Sequence, residues 1–161
     1  MRKRGFTLVE LLVVIGILGV LAALLVANVS SGRSRARDTS RKSDFENIKK
    51  ALRIYYNDFQ QYPADDSSGN ILGCVDGVTV CGWGSEFEAN GNRYMKELPT
   101  DPVNGGSNVY SYIQTNGGEG FELSTYLENN SDEDDGKSQL RCGVIADIAN
   151  KTEQLYVTCE I

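Results

Sequence analysis

The sequence predicts an α+β chain: a long N-terminal helix carrying a small antiparallel sheet of about four strands. Three observations predict it. No proline interrupts residues 6–62, and the first part of that stretch, Phe6 to Val29, is predominantly apolar with Glu10 its only charge. Beyond it, Phe45, Ile48, Leu52, Tyr55, Tyr56 and Phe59 recur at spacings of three and four, one face of a helix. After Pro63 the chain turns to short alternating runs between Gly-, Asn- and Asp-rich turns, the pattern of strands.

The chain opens on a basic leader, Met1-Arg-Lys-Arg-Gly5, followed by the apolar run. The 24 residues from Phe6 to Val29 exceed the ~20 needed to cross a hydrocarbon core. A backbone in lipid must satisfy its own hydrogen bonds, so this run is expected to be helical. It is longer than the apolar core of a cleaved secretory signal, the simpler alternative. Glu10 stands inside it. A carboxylate in a span costs roughly 2.5–3.5 kcal/mol and is normally paired and functional. Cleavage after Gly5 would create a positive partner at similar depth, the new amino group of Phe6.

Gly5-Phe-Thr-Leu-Val-Glu10, with the leader charge before it and the apolar run after it, resembles the processing site of type IV prepilins and type II secretion pseudopilins. The resemblance implies cutting after Gly5 by a prepilin peptidase, methylation of Phe6, and a role for Glu10 in assembly, paired with a neighbouring subunit's N-terminus. It also implies a pilin-like fold, anchorage in the inner membrane with the C-terminal part outside the cytoplasm, and a helical homo-oligomeric filament built by assembly machinery. Tyr62-Pro63, then Leu98-Pro-Thr-Asp-Pro102, then Tyr110-x-Tyr112 are similar to the major pseudopilin of type II secretion and related pilins. The expected organisation is a leader over 1–5, an assembly and membrane helix over 6–29, the second half of the helix over 30–62, and a β-sheet head over 63–161.

The polar stretch after the span is rich in bases, including Arg33, Arg35 and Arg37. Counted alone they favour the opposite orientation by the positive-inside rule; the cytoplasmic N-terminus rests on the leader. One continuous helix is expected, with a soft spot at Ser30–Gly32. Ser43-Asp-Phe-Glu46 has the form of a capping box and would permit a break. Gly16 and Gly19 would let helices approach closely in lipid. Many related pilins carry a proline near the end of the span; Ala27 stands there here, so no proline kink is expected.

The formal charge is −6; without the leader, 13 basic residues face 22 acidic ones, a net −9. That argues against nucleic acid as a partner, since such affinity comes from neutralised phosphates. Histidine is absent, which removes the commonest general base and neutral metal ligand. No catalytic constellation assembles, and the chain is read as a non-enzyme.

The four cysteines form two close pairs, Cys74/Cys81 and Cys142/Cys159. Neither has zinc spacing, and behind an export segment two disulfides are expected rather than buried thiols. Cys74–Cys81 reads as a hairpin turning between Gly77 and Val78 if the cysteines face each other. A turn on Asp76-Gly77 is the alternative and sets them out of register. Leu98-Pro-Thr-Asp-Pro102 reads as a rigid extended segment. Val109–Tyr112 and Phe121–Tyr126 read as strands joined by a Gly-rich turn at 116–120. Asp132, Asp134 and Asp135, in the acidic loop 129–138, offer oxygen ligands for a structural calcium, although the spacing is not an EF-hand loop; no other cofactor is expected. Cys142 and Cys159 read as one antiparallel hairpin turning on Asn150-Lys151, with Leu140, Cys142, Val144 and Ala146 opposite Ile161, Cys159, Val157 and Leu155.

The functional expectation is a filament subunit, a major pseudopilin of type II secretion or a type IV pilin. The alternative is a single-pass membrane protein whose binding ectodomain has nothing to do with filaments.

Overall fold

The computed structural model describes the backbone of residues 6–74, 78–103, 105, 109–145 and 152–160, and the side chains of all of these except 24–30. Helix α1 runs without a break from Leu8 to Phe59, 52 residues, which at 1.5 Å per residue is about 78 Å. Thr7 caps it in extended conformation, and Gln60, left-handed at φ 55°, closes it before Pro63. No break opens at Ser31–Gly32. The expected capping box at Ser43–Glu46 is mid-helix, where Glu46 instead accepts from Lys49 Nζ at 2.9 Å. The capping box lies at the true start, between Thr7 and Glu10.

Among the described residues the head holds seven strands rather than the four expected, in three antiparallel sheets. These are β1 (Ile71–Gly73) with β2 (Thr79–Cys81), β3 (Phe87–Ala89) with β4 (Asn92–Met95), and β5 (Ser111–Thr115) with β6 (Gly120–Tyr126) and β7 (Leu155–Glu160). A short second helix, α2 (Asp134–Arg141), precedes β7.

The core forms where one face of α1 meets these sheets. Phe45, Ile48, Leu52 and Tyr55 are buried, at successive spacings of three, four and three. Opposite them lie Tyr112, Phe121 and Leu123 on the inner face of β5–β6, and Phe87, Ile71 and Leu98 from the connecting chain. Aromatic rings fill the seam: Phe45 meets Tyr110 edge-on at 5.1 Å, and Tyr55 meets Phe87 at 5.6 Å and Tyr94 at 5.3 Å. Tyr112 donates to the Pro63 carbonyl at 2.6 Å, tying the sheet to the end of the helix. Gly120 has no room for a side chain: a Cβ there would sit 2.5 Å from the Glu160 carbonyl oxygen.

Two expected hairpins need correction. The chain around Cys142 is not a strand. Residues 134–141 are helical, and β7 pairs with β6 instead, from Phe121↔Glu160 to Tyr126↔Leu155. The register of Leu140, Cys142 and Val144 against β7 therefore does not exist, while the expected turn at Asn150-Lys151, with Ala146 and Ile161, lies outside the described residues. The physical reason is that β7 finds a fuller partner in β6, while α2 covers the other edge of the strand. Ser138 Oγ accepts from Val157 N at 3.0 Å, and Gln139 Nε2 donates to the Leu155 carbonyl at 2.7 Å. The Cys142–Cys159 disulfide, Cα–Cα 5.7 Å, thus staples the end of α2 to β7. At the other staple, Ile71 pairs with Cys81 and Cys74 with Thr79. The cysteines are not directly opposed, yet with Cα atoms 5.3 Å apart they still bond. Residues 75–77 lie outside the described residues.

Candidate functional site

The N-terminal end of α1 holds the first group of interest. Gly5 lies outside the described residues. Phe6 is 84% exposed, and every described side chain from Phe6 to Ala23 is exposed. Glu10 bends back over the helix start: its Oε2 accepts from Thr7 N at 2.8 Å and from Thr7 Oγ1 at 2.8 Å. The carboxylate is thus held at the N-terminal end of the helix, beside Phe6, where free N–H groups and the helix dipole favour negative charge. Among the described residues no helix is long and apolar enough to cross a membrane; those residues exclude the side chains of 24–30.

A second group, not anticipated from sequence, fixes the helix to the head. Arg41 is fully buried. Its Nε and Nη2 donate to the two oxygens of Asp101 at 2.6 and 3.0 Å, and its Nη1 donates to Asp38 Oδ1 at 2.6 Å. Glu128 Oε1 lies 2.8 Å from Arg41 Nη2 and 2.7 Å from Arg37 Nε. Asp38 in turn accepts the backbone N–H groups of Glu128 and Asn129, each at 2.9 Å. Burial by itself would lower the Arg41 pKa, but the hydrogen bonds of Asp101, Glu128 and Asp38 outweigh it and raise it. Arg37, and after it Arg41, hold the Glu128 carboxyl down at about 2. Asp38 and Arg41 extend the buried stripe of α1 backwards from Phe45 at the same spacings of three and four. Continuing that period across polar residues is the sequence signal that would have found them. Asp101 belongs to the segment Leu98–Pro102, which has no regular secondary structure and presents the carboxylate to Arg41.

The three carboxylates considered for calcium are not brought together. Asp132 Oδ2 and Asp134 Oδ2 both accept from Lys42 Nζ at 2.7 Å. Asp135 is buried and turned elsewhere, accepting from Gly136 N at 2.5 Å and Gln154 N at 3.2 Å. Among the described residues no group of three acidic, Cys or His side chains is arranged to hold a metal ion. Calcium needs six to eight oxygens, and an ammonium stands between the two nearest, so the set does not fit a calcium site. Burial opposes the Lys42 charge, but Asp132 and Asp134 more than restore it and raise its pKa.

Comparison with known proteins places these features. Residues 1–26 match the prokaryotic N-terminal methylation motif, and residues 28–142 match the family described as type II secretion system (T2SS), protein G. A type II secretion system core protein G of Pectobacterium carotovorum is 39% identical over 101 residues, covering 63% of this chain and 62% of that protein. The protein of that name in Pseudomonas aeruginosa is 35% identical over 114 residues, covering 70% and 74%. In Aeromonas hydrophila it is 31% identical over 140 residues, covering 87% and 95%. The match thus spans less than two thirds of the Pectobacterium protein and nearly all of the Aeromonas one. No solved structure matches the chain. With a methylation motif at its start and the protein G match across most of the remainder, the chain belongs to the protein G family of type II secretion, whose members are structural pseudopilins and not enzymes.

Proposed function

We propose that this chain is the major subunit of a type II secretion pseudopilus. It is held in the inner membrane by residues 6–29, with the head outside the cytoplasm. A prepilin peptidase cuts it after Gly5 and Phe6 is methylated. The subunits then polymerise through their apolar half-helices, with Glu10 meeting the amino group of a neighbour's Phe6. One observation carries this reading. Among the described residues the head packs only against the second half of α1, which leaves an apolar rod with one carboxylate near its tip. Exposed apolar surface on that scale demands a partner, lipid before assembly and other copies after it.

Glu10 needs no partner while it caps its own helix, and cleavage changes that balance by placing a charged amine next to it. Mass spectrometry of the mature protein tests the processing. An N-methylated Phe6 is expected, and a chain retaining Met1 sinks the proposal. Glu10→Ala should be cleaved normally and form no filaments.

A type IV pilus is a second reading. It is favoured by the C-terminal segment 143–161, which lies beyond the protein G match and is stapled through Cys159. Electron microscopy separates the two: long surface fibres in the native host mean a pilus. An unmethylated chain that never polymerises would be the single-pass binding protein.

A further inference from the structure

We infer that Lys42 is a built-in cation for the acidic segment 129–135, taking the place of a divalent metal, so that this part of the head closes without calcium. The segment carries four successive acids, Asp132, Glu133, Asp134 and Asp135. Like charges at that density repel, and folding them against a helix requires compensating positive charge. Two lysines supply it. Lys137 donates to Glu133 at 2.7 Å at the surface. Lys42, projecting from α1, donates to Asp132 and Asp134 at 2.7 Å each and lies 5.6 Å from the centre of the Tyr156 ring on β7. Its ammonium is thus bounded by two carboxylates and the face of an aromatic ring, the surroundings of a bound cation.

The long helix holds both ends of the segment with opposite charges. Asp38 takes the backbone N–H groups of Glu128 and Asn129 where the segment begins. One turn further on, Lys42 takes the carboxylates of Asp132 and Asp134. Within the segment, Asp132 Oδ1 accepts from Asp134 N at 3.0 Å, and Asp132 N donates to the Asn129 carbonyl at 3.0 Å. Asp135 is committed to β7's approach through Gln154 N. A divalent ion entering between Asp132 and Asp134 would have to expel the lysine, and among the described residues would find two carboxylates in place of the larger oxygen set it requires.

The test uses the full chain in detergent micelles, with unfolding of the head followed through the single tryptophan, Trp83. A calcium ion present at a hundredfold over its Kd would raise the melting midpoint by on the order of 10 °C. The expected change between EDTA and millimolar calcium chloride is below about 1 °C on that scale. A calcium-dependent rise on the order of 10 °C overturns the inference. Lys42→Met provides a second readout, the hydrogen exchange of the Asp132 and Asp134 amides. Protection should fall by about tenfold or more, the local opening expected when the anchoring cation is lost. Unchanged protection in Lys42→Met also overturns it. If that variant does not fold, the chelation comparison on the unaltered chain decides alone.

Discussion

Replacing Arg41 by methionine should be among the most damaging single changes in the head. The guanidinium is completely buried and satisfies both oxygens of Asp101, one of Asp38 and one of Glu128. Methionine matches much of the side-chain volume, so the packing loss is small and the electrostatic loss dominates. Asp101 and Asp38 are themselves buried. Removing one partner of a buried ion pair costs about 3–5 kcal/mol, because the remaining charges stay in a poorly solvating interior. At about 4 °C per kcal/mol for a domain of this size, the midpoint should drop by roughly 12–20 °C. Thermal unfolding by Trp83 fluorescence, with near-UV circular dichroism as a second probe, measures it. The double variant Arg41→Met/Asp101→Leu supplies the control. It removes the stranded carboxylate, while Asp38 keeps its backbone donors and Glu128 keeps Arg37, so much of the loss should return. A loss below about 1 kcal/mol for Arg41→Met, the scale of an exposed pair, refutes the reasoning. So does a double variant no more stable than the single one.

Acid should weaken the head in a definite window. Arg37 and Arg41 hold the folded-state Glu128 carboxyl at about 2, well below its ordinary 4.5. A depressed carboxylate contributes stability that is complete above the unfolded pKa and lost as pH falls through the folded one, here between about 4.5 and 2. The shift corresponds to at most about 3.4 kcal/mol, and to less in practice because the Arg37 side chain is 35% exposed. Glu128→Gln should flatten the pH–stability profile there, and an unchanged profile counts against the assignment. Replacing Cys142 and Cys159 together by serine opens a closure of 17 residues and should cost about 3 kcal/mol by denaturant titration. Gly120→Ala forces a Cβ to within 2.5 Å of the Glu160 carbonyl and 2.6 Å of Thr115 Oγ1, and should lower stability by about 1–3 kcal/mol.

What the sequence made legible was whatever hydrophobic period, proline and glycine encode. The continuous helix, the core face from Phe45 to Phe59 and the β5–β6 turn all follow from those signals. The β3–β4 hairpin escaped it, and so did two features built on buried polar groups. The stripe on α1 begins at Asp38 and Arg41, and a pattern of apolar residues stops short of charged ones that are buried by pairing. Helix α2 is hidden for the same reason. Its buried positions are Asp135, Gly136, Ser138 and Gln139, and the three side chains among them reach β7 or its approach with hydrogen bonds rather than apolar surface. The alternation in 155–160 was visible, but a period of two identifies a strand and not its partner, and the similar alternation around Cys142 belongs to no strand, since 134–141 is helical. Leu155, Val157 and Cys159 share one face whichever neighbour β7 takes.

The arrangement around Arg41 also has a mechanical meaning. A load applied along α1 from its apolar tip reaches the head through side chains at positions 38, 41 and 42 before it reaches the aromatic seam. These bonds cross from the rod to two separate stretches, at Asp101 and at Glu128–Asp134, so tension is divided between them instead of being taken in succession. Bonds loaded in parallel fail together and at higher force than the same bonds loaded in series. The ion cluster therefore acts as a shear joint between shaft and head, placed where the bare rod enters the packed domain.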